Sequence, residues 1–151
     1  MRLFKTHPLP TVLIRMAVGL IFLSEGIQKF IRPAEVGAGR FAKIGFENPV
    51  FWSYLTGAFE IFCSLLVLAG FLVRLSVIPL IIIMITAFVT TKWPVLMEKG
   101  FWSMAHEYRT DFAMTLLLIY LLRYGAGNYS LDLKINRSKM NHENKTAGTI
   151  P

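Results

Sequence analysis

The stretch VFWSYLTGAFEIFCSLLVLAGFLV, from Val50 to Val73, decides the fold. It holds 24 residues and one charge, Glu60, near its middle. A run of about 20 apolar residues is long enough to cross the hydrocarbon core of a bilayer as a helix. Insertion scales put Asp, Lys or Arg at that depth at roughly 2.5–3.5 kcal/mol, and intramembrane charges normally face a bundle interior or a polar cavity, with a partner. The stretch therefore predicts a membrane helix with a polar feature on its inward face.

Three more apolar blocks flank it. The first runs from Thr11 to Ile31, behind Arg2 and Lys5. Ser24-Glu25-Gly26-Ile27-Gln28 offers no small-x-small cleavage site, so the block reads as an uncleaved anchor helix. The third runs from Leu75 to Thr91, with Pro79 in its first turns. The fourth has a charge-free centre from Phe112 to Leu122 and reaches spanning length only if helix begins near Ala105. The fold expected is all-α, a transmembrane four-helix bundle with spans near 11–31, 50–73, 75–91 and 105–124. Residues 1–132 form the membrane domain and 133–151 a polar tail without periodic apolar pattern. Gly70 to Arg74 is a tight turn, making spans two and three an antiparallel hairpin. The longer loops, about Arg32 to Pro49 and Lys92 to Met104, share one membrane face with Trp52, Trp93 and Trp102, an aromatic belt. Nine basic residues lie on the side of the termini and seven on the other. The positive-inside rule then places both termini in the cytoplasm, by a small margin.

Composition agrees. Hydrophobic residues make up 54% of the 151 and charged ones 17%, against about 25% charged in soluble domains. The net charge of +7 does not indicate nucleic acid, because the basic residues sit between and beyond apolar blocks. Anionic lipid headgroups are the simpler partner. The single cysteine, Cys63, excludes an intrachain disulfide, a CxxC pair and a zinc ribbon, and reads as a packing residue. His7, His106 and His142 are too scattered for a metal site. Gly37-Ala38-Gly39-Arg40 follows no strand and is no nucleotide loop.

Helical spacing gathers the polar residues. Arg15, Gly19, Phe22, Gly26 and Lys29 share one face of the first span, with Glu25 at its edge. Glu25 and Lys29 are an i, i+4 pair in the favourable order. Gly19 and Gly26 allow a second helix to come close. In the second span Thr56, Gly57, Glu60, Cys63 and Ser64 lie on one side. At ~1.5 Å per residue Glu60 sits about 15 Å below the loop-side surface, Glu25 roughly 9 Å below it, and Lys29 near the boundary. Arg15 lies near the opposite surface, where it is expected to snorkel. Two readings stay open. In the first, Glu25–Lys29 is a helix-surface pair and Glu60 only ties helices together. In the second, Glu25, Lys29, Glu60, His106, Arg109 and Asp111 line a polar pocket open to the loop side.

With these residues in place, the chain resembles the DoxX family of small bacterial membrane proteins, over about Val12 to Asp132. The carrying residues are Arg15-x₃-Gly19-x₂-Phe22-x₃-Gly26-x₂-Lys29-Phe30, then Gly57-x₂-Glu60, Gly70-x₃-Arg74, and Gly125-x-Gly127-x₂-Ser130-Leu131-Asp132. The resemblance implies a four-helix bundle in the bacterial inner membrane. Similar proteins include a subunit of an archaeal thiosulfate:quinone oxidoreductase and a mycobacterial member tied to a membrane-associated oxidoreductase complex. That implies quinone-linked redox work with a soluble oxidoreductase partner and no covalent cofactor; a homo-oligomer is a separate candidate assembly. In such a site Lys29, His106 and Arg109 would donate hydrogen bonds and Glu25 or Glu60 would relay protons. Phe22, Phe30, Phe59 and Trp102 would pack the ring. The competing readings are a non-catalytic membrane scaffold and a small proton-linked transporter.

Overall fold

The computed structural model describes residues 8–127, 130 and 131. His7, Asp132, His142 and the polar tail read for 133–151 lie outside the described residues. Helix α1 spans Pro8–Ile31, α2 Ala38–Ile44, α3 Pro49–Ala69 and α4 Val73–Ala87. A π-helical turn, Phe88–Lys92, leads directly into α5, Trp93–Lys99, and α6 follows at Phe101–Tyr124. The described residues contain no strand.

Among the described residues, three helical stretches are long and apolar enough to cross a membrane: Pro10–Ile31, Pro49–Ala69 and Val73–Lys99. The four spans read from the sequence are thus three by this measure. Helix α6 has the length, 24 residues, but Glu107, Arg109 and Asp111 crowd its first half. Its apolar second half packs into the bundle, burying Met114, Leu118 and Leu121 in one core with Val77, Leu80 and Met84 of α4. The third block also runs longer than its sequence reading. Helix continues past Thr91 to Lys99, where a loop from Lys92 to Met104 was expected. The π turn absorbs the break just ahead of Pro94, which lies in the first turn of α5 and has no N–H to give to the turn before it. The loop from Arg32 to Pro49 holds the short helix α2.

The stripe on α1 is buried against α3. Gly26 brings the two backbones together: a Cβ there would lie 2.9 Å from Gly57 O and 3.0 Å from Glu60 Cβ. At Gly57 a Cβ would meet the Phe30 ring at 2.8 Å and Lys29 Cβ at 3.3 Å. The missing side chain leaves Lys29 a path down toward Glu60.

Arg15 does not snorkel. It is 4% exposed. Its guanidinium donates to Val67 O at 2.9 Å, Leu68 O at 2.8 Å and Ala126 O at 3.1 Å. The last carbonyls of α3 lack the amide four residues on that interior ones have, although Val67 O also accepts from Gly70 N–H at 3.1 Å, and they carry the negative end of its dipole. A planar fork of N–H donors suits several such acceptors at once. Arg15 therefore ties α1, the end of α3 and the turn after α6 into one end of the bundle. The turn at Gly70 (φ 72) is open to it only because glycine stands there: a Cβ would collide with Arg15 Nη2.

Candidate functional site

At the other end of the helices, Lys29 Nζ lies 2.6 Å from Glu60 Oε2, with the two side chains 9% and 4% exposed. The sequence spacing had offered Lys29 to Glu25 on its own helix, yet its ion-pair partner is Glu60 on α3. Isolated, either charge would be costly in this place. Together they form a charge-assisted bond across α1 and α3.

Beside this pair is a cavity of about 680 Å³, within the ~300–1,000 Å³ of ligand pockets. Helices α1, α3 and α4, the π turn, α6 and α2 all contribute to its wall. Of the predicted polar residues, Glu25, Lys29, Glu60 and Asp111 line it. His106 and Arg109 do not; both are exposed on α6. Of the predicted ring-packing residues, Phe22 and Phe59 line it. Phe30 instead stacks on Tyr54 at 5.2 Å, and Trp102 is 83% exposed.

Sequence reasoning missed the contribution of α2. Val36, Arg40, Phe41, Ile44 and Phe46 all line the cavity, and Phe46 links Phe41 (5.3 Å) to Trp52 (6.0 Å) in an aromatic chain. The i, i+4 spacing of Val36 with Arg40 and of Arg40 with Ile44 carried that signal, but the segment is short and rich in glycine. Thr86, Thr90 and Thr91 were also missed. They line the cavity around the π turn while each hydroxyl donates to a carbonyl four residues back. Single π turns inside α-helices often mark functional sites. This one is followed by a second, looser charge cluster: Lys92 Nζ lies 3.6 Å from Asp111 Oδ2 and 3.9 Å from Glu107 Oε2. Ile21, Leu55, Phe59 and Ile82 line the cavity yet are more than a third exposed. The cavity is thus open on its apolar flank. Among the described residues no group of His, Cys, Asp and Glu could hold a metal ion.

Long apolar helices around a cavity with a buried ion pair define a small helical membrane protein. The chain belongs to the DoxX family, whose model matches residues 11–93. It is 46% identical over 143 residues to an uncharacterized membrane protein of Mycobacterium tuberculosis, covering 90% of this chain and 88% of that one. No solved structure matches the chain. The matched family segment contains Glu25, Lys29, Arg40 and Glu60 and stops before Asp111.

Proposed function

We propose that this protein holds a lipid-soluble quinone in the cavity beside Lys29 and Glu60, as the membrane component of an oxidoreductase system. One observation carries the reading: a buried ion pair stands in the wall of a largely apolar cavity. A buried pair adds little to stability compared with apolar residues of the same volume, so its presence at a cavity wall suits a ligand. The residues fit the group. A quinone needs an apolar slot for ring and tail and donors at its carbonyl oxygens. Phe22, Phe59 and Trp52 supply apolar wall, and the open apolar flank gives access from lipid. Lys29 has three N–H donors, of which Glu60 uses one. The bound group would supply two-electron chemistry. The chain's part is to bind the ring, exclude water and offer proton-active carboxylates, with electrons exchanged through a partner oxidoreductase. In this reading α6 is a fourth crossing whose Asp111 is sheltered at the cavity. The bundle lies in the bacterial inner membrane with both termini cytoplasmic.

Trp52 lines the cavity and reports on it, whereas Trp93 and Trp102 do not line it. In a Trp93→Phe, Trp102→Phe background in lipid discs, a decyl-substituted 1,4-benzoquinone should quench Trp52 saturably. Glu60→Gln should weaken that binding. Quenching that rises linearly, as from quinone merely dissolved in lipid, would count against the site and move the weight to a scaffold.

A further inference from the structure

Of the three carboxylates that line the cavity, Glu25, Glu60 and Asp111, Glu25 is the one in no ion pair among the described residues. It lines the cavity, half-buried, one helical turn before Lys29. The ion pairs of the described residues join Lys29 to Glu60, Arg32 to Glu35, and Lys92 to Glu107 and Asp111. Glu25 belongs to none of them. Arg40 lines the same cavity from α2 and is likewise in no ion pair among the described residues. Both share this wall with the buried pair of Lys29 and Glu60.

An ionised carboxylate only accepts hydrogen bonds, whereas a guanidinium only donates. A ring that fills the cavity removes water from Glu25. Unless the ring brings a donor, the carboxylate is left desolvated and unpaired, which is costly. The oxidised quinone ring carries two carbonyl acceptors and no donor. Its two-electron, two-proton reduced form carries two hydroxyls, each of which donates and accepts. Resting on the quinone reading above, we propose that Glu25 makes the cavity selective for the reduced, hydroxyl-bearing ring. One hydroxyl donates to the Glu25 carboxylate while Arg40 donates to a ring oxygen. Glu60 does not compete for this part, because Lys29 already occupies it at 2.6 Å. A site built around a hydrogen-bonding group rejects the analogue that lacks the matching group far more strongly than an apolar slot rejects a change of size.

The test compares a decyl-substituted 1,4-benzoquinone with its hydroquinone, by calorimetry on the full chain in lipid discs without oxygen. Wild type should bind the hydroquinone at least about tenfold more tightly, the scale of one hydrogen bond to a charged group. E25Q should reduce the ratio to about threefold or less, because a neutral amide both donates and accepts. R40Q should weaken both forms alike and keep the ratio, since both present an oxygen to Arg40. An unchanged melting temperature for E25Q would show that the fold persists. Equal binding of both forms by wild type, or an unchanged ratio in E25Q, overturns the selectivity assigned to Glu25 and leaves the quinone site standing. Binding of neither form by wild type removes the quinone reading and this inference with it.

Discussion

Replacing Arg15 with methionine tests the clamp at the end of the bundle remote from the cavity. Three hydrogen bonds from one charged donor, at 2.9, 3.1 and 2.8 Å, are lost together. Bonds involving a charged group contribute about 1.5–3 kcal/mol each net of water, so three independent bonds would sum to roughly 4.5–9 kcal/mol. Bonds from one guanidinium are not independent, and methionine leaves no unpaired charge behind, so the sum is an upper bound. The expected net destabilisation is about 2–4 kcal/mol. Arg15→Lys should fall in between, because a compact ammonium cannot reach all three carbonyls as the planar fork does. Equilibrium unfolding in mixed micelles, followed by far-UV circular dichroism, gives both values. A loss within about 0.5 kcal/mol for Arg15→Met, the range of ordinary surface changes, would show that the guanidinium faces the headgroups. It would also undo the assignment of Arg15 as the tie between α1, α3 and the turn after α6.

Other substitutions probe the remaining contacts. Gly70→Ala should cost about 1–3 kcal/mol by unfolding titration, since it strains a left-handed residue and its Cβ collides with Arg15 Nη2; no loss would mean that the turn rearranges freely. Removing one partner of the buried pair, by Lys29→Met or Glu60→Leu, should cost about 3–5 kcal/mol, while the double change should lie close to wild type. Additive losses in that cycle would show that the two side chains are not paired. Gly26→Ala should destabilise by about 1–3 kcal/mol, because its Cβ would meet Ile61 Cγ1 at 2.8 Å and Gly57 O at 2.9 Å. An unchanged unfolding midpoint would place Gly26 away from the crossing with α3.

Much of the helical layout was legible because membrane helices announce themselves by long apolar runs. The stretch around Glu60 and the α1 stripe ending at Lys29 both face inward, as their spacing required. The distance of Glu60 from the surface concealed its partner. Backbone depth put Lys29 near the boundary, but a four-carbon stem running past Gly57 carries its ammonium down to Glu60. Arg15 misled for the converse reason. Its acceptors are main-chain carbonyls at the end of α3 and in the turn after α6, and no side-chain pattern marks a carbonyl left free at a helix end. The π turn was equally hidden. Phe-Val-Thr-Thr-Lys reads as the close of a span followed by a loop, whereas the packed helix continues to Lys99. His106 and Arg109 were placed at the cavity through their membership of α6. Of the three polar residues expected there, Asp111 alone lines the cavity, beside Thr110.

The central claim is that the cavity beside Lys29 and Glu60 holds a lipid-soluble ring. It is tested most directly by native mass spectrometry of the full chain extracted from its own membrane in lipid discs, with ligands identified after release. A quinone close to one per chain is predicted for wild type, with clear loss in Glu60→Gln. Wild type carrying phospholipid and no quinone would contradict the account.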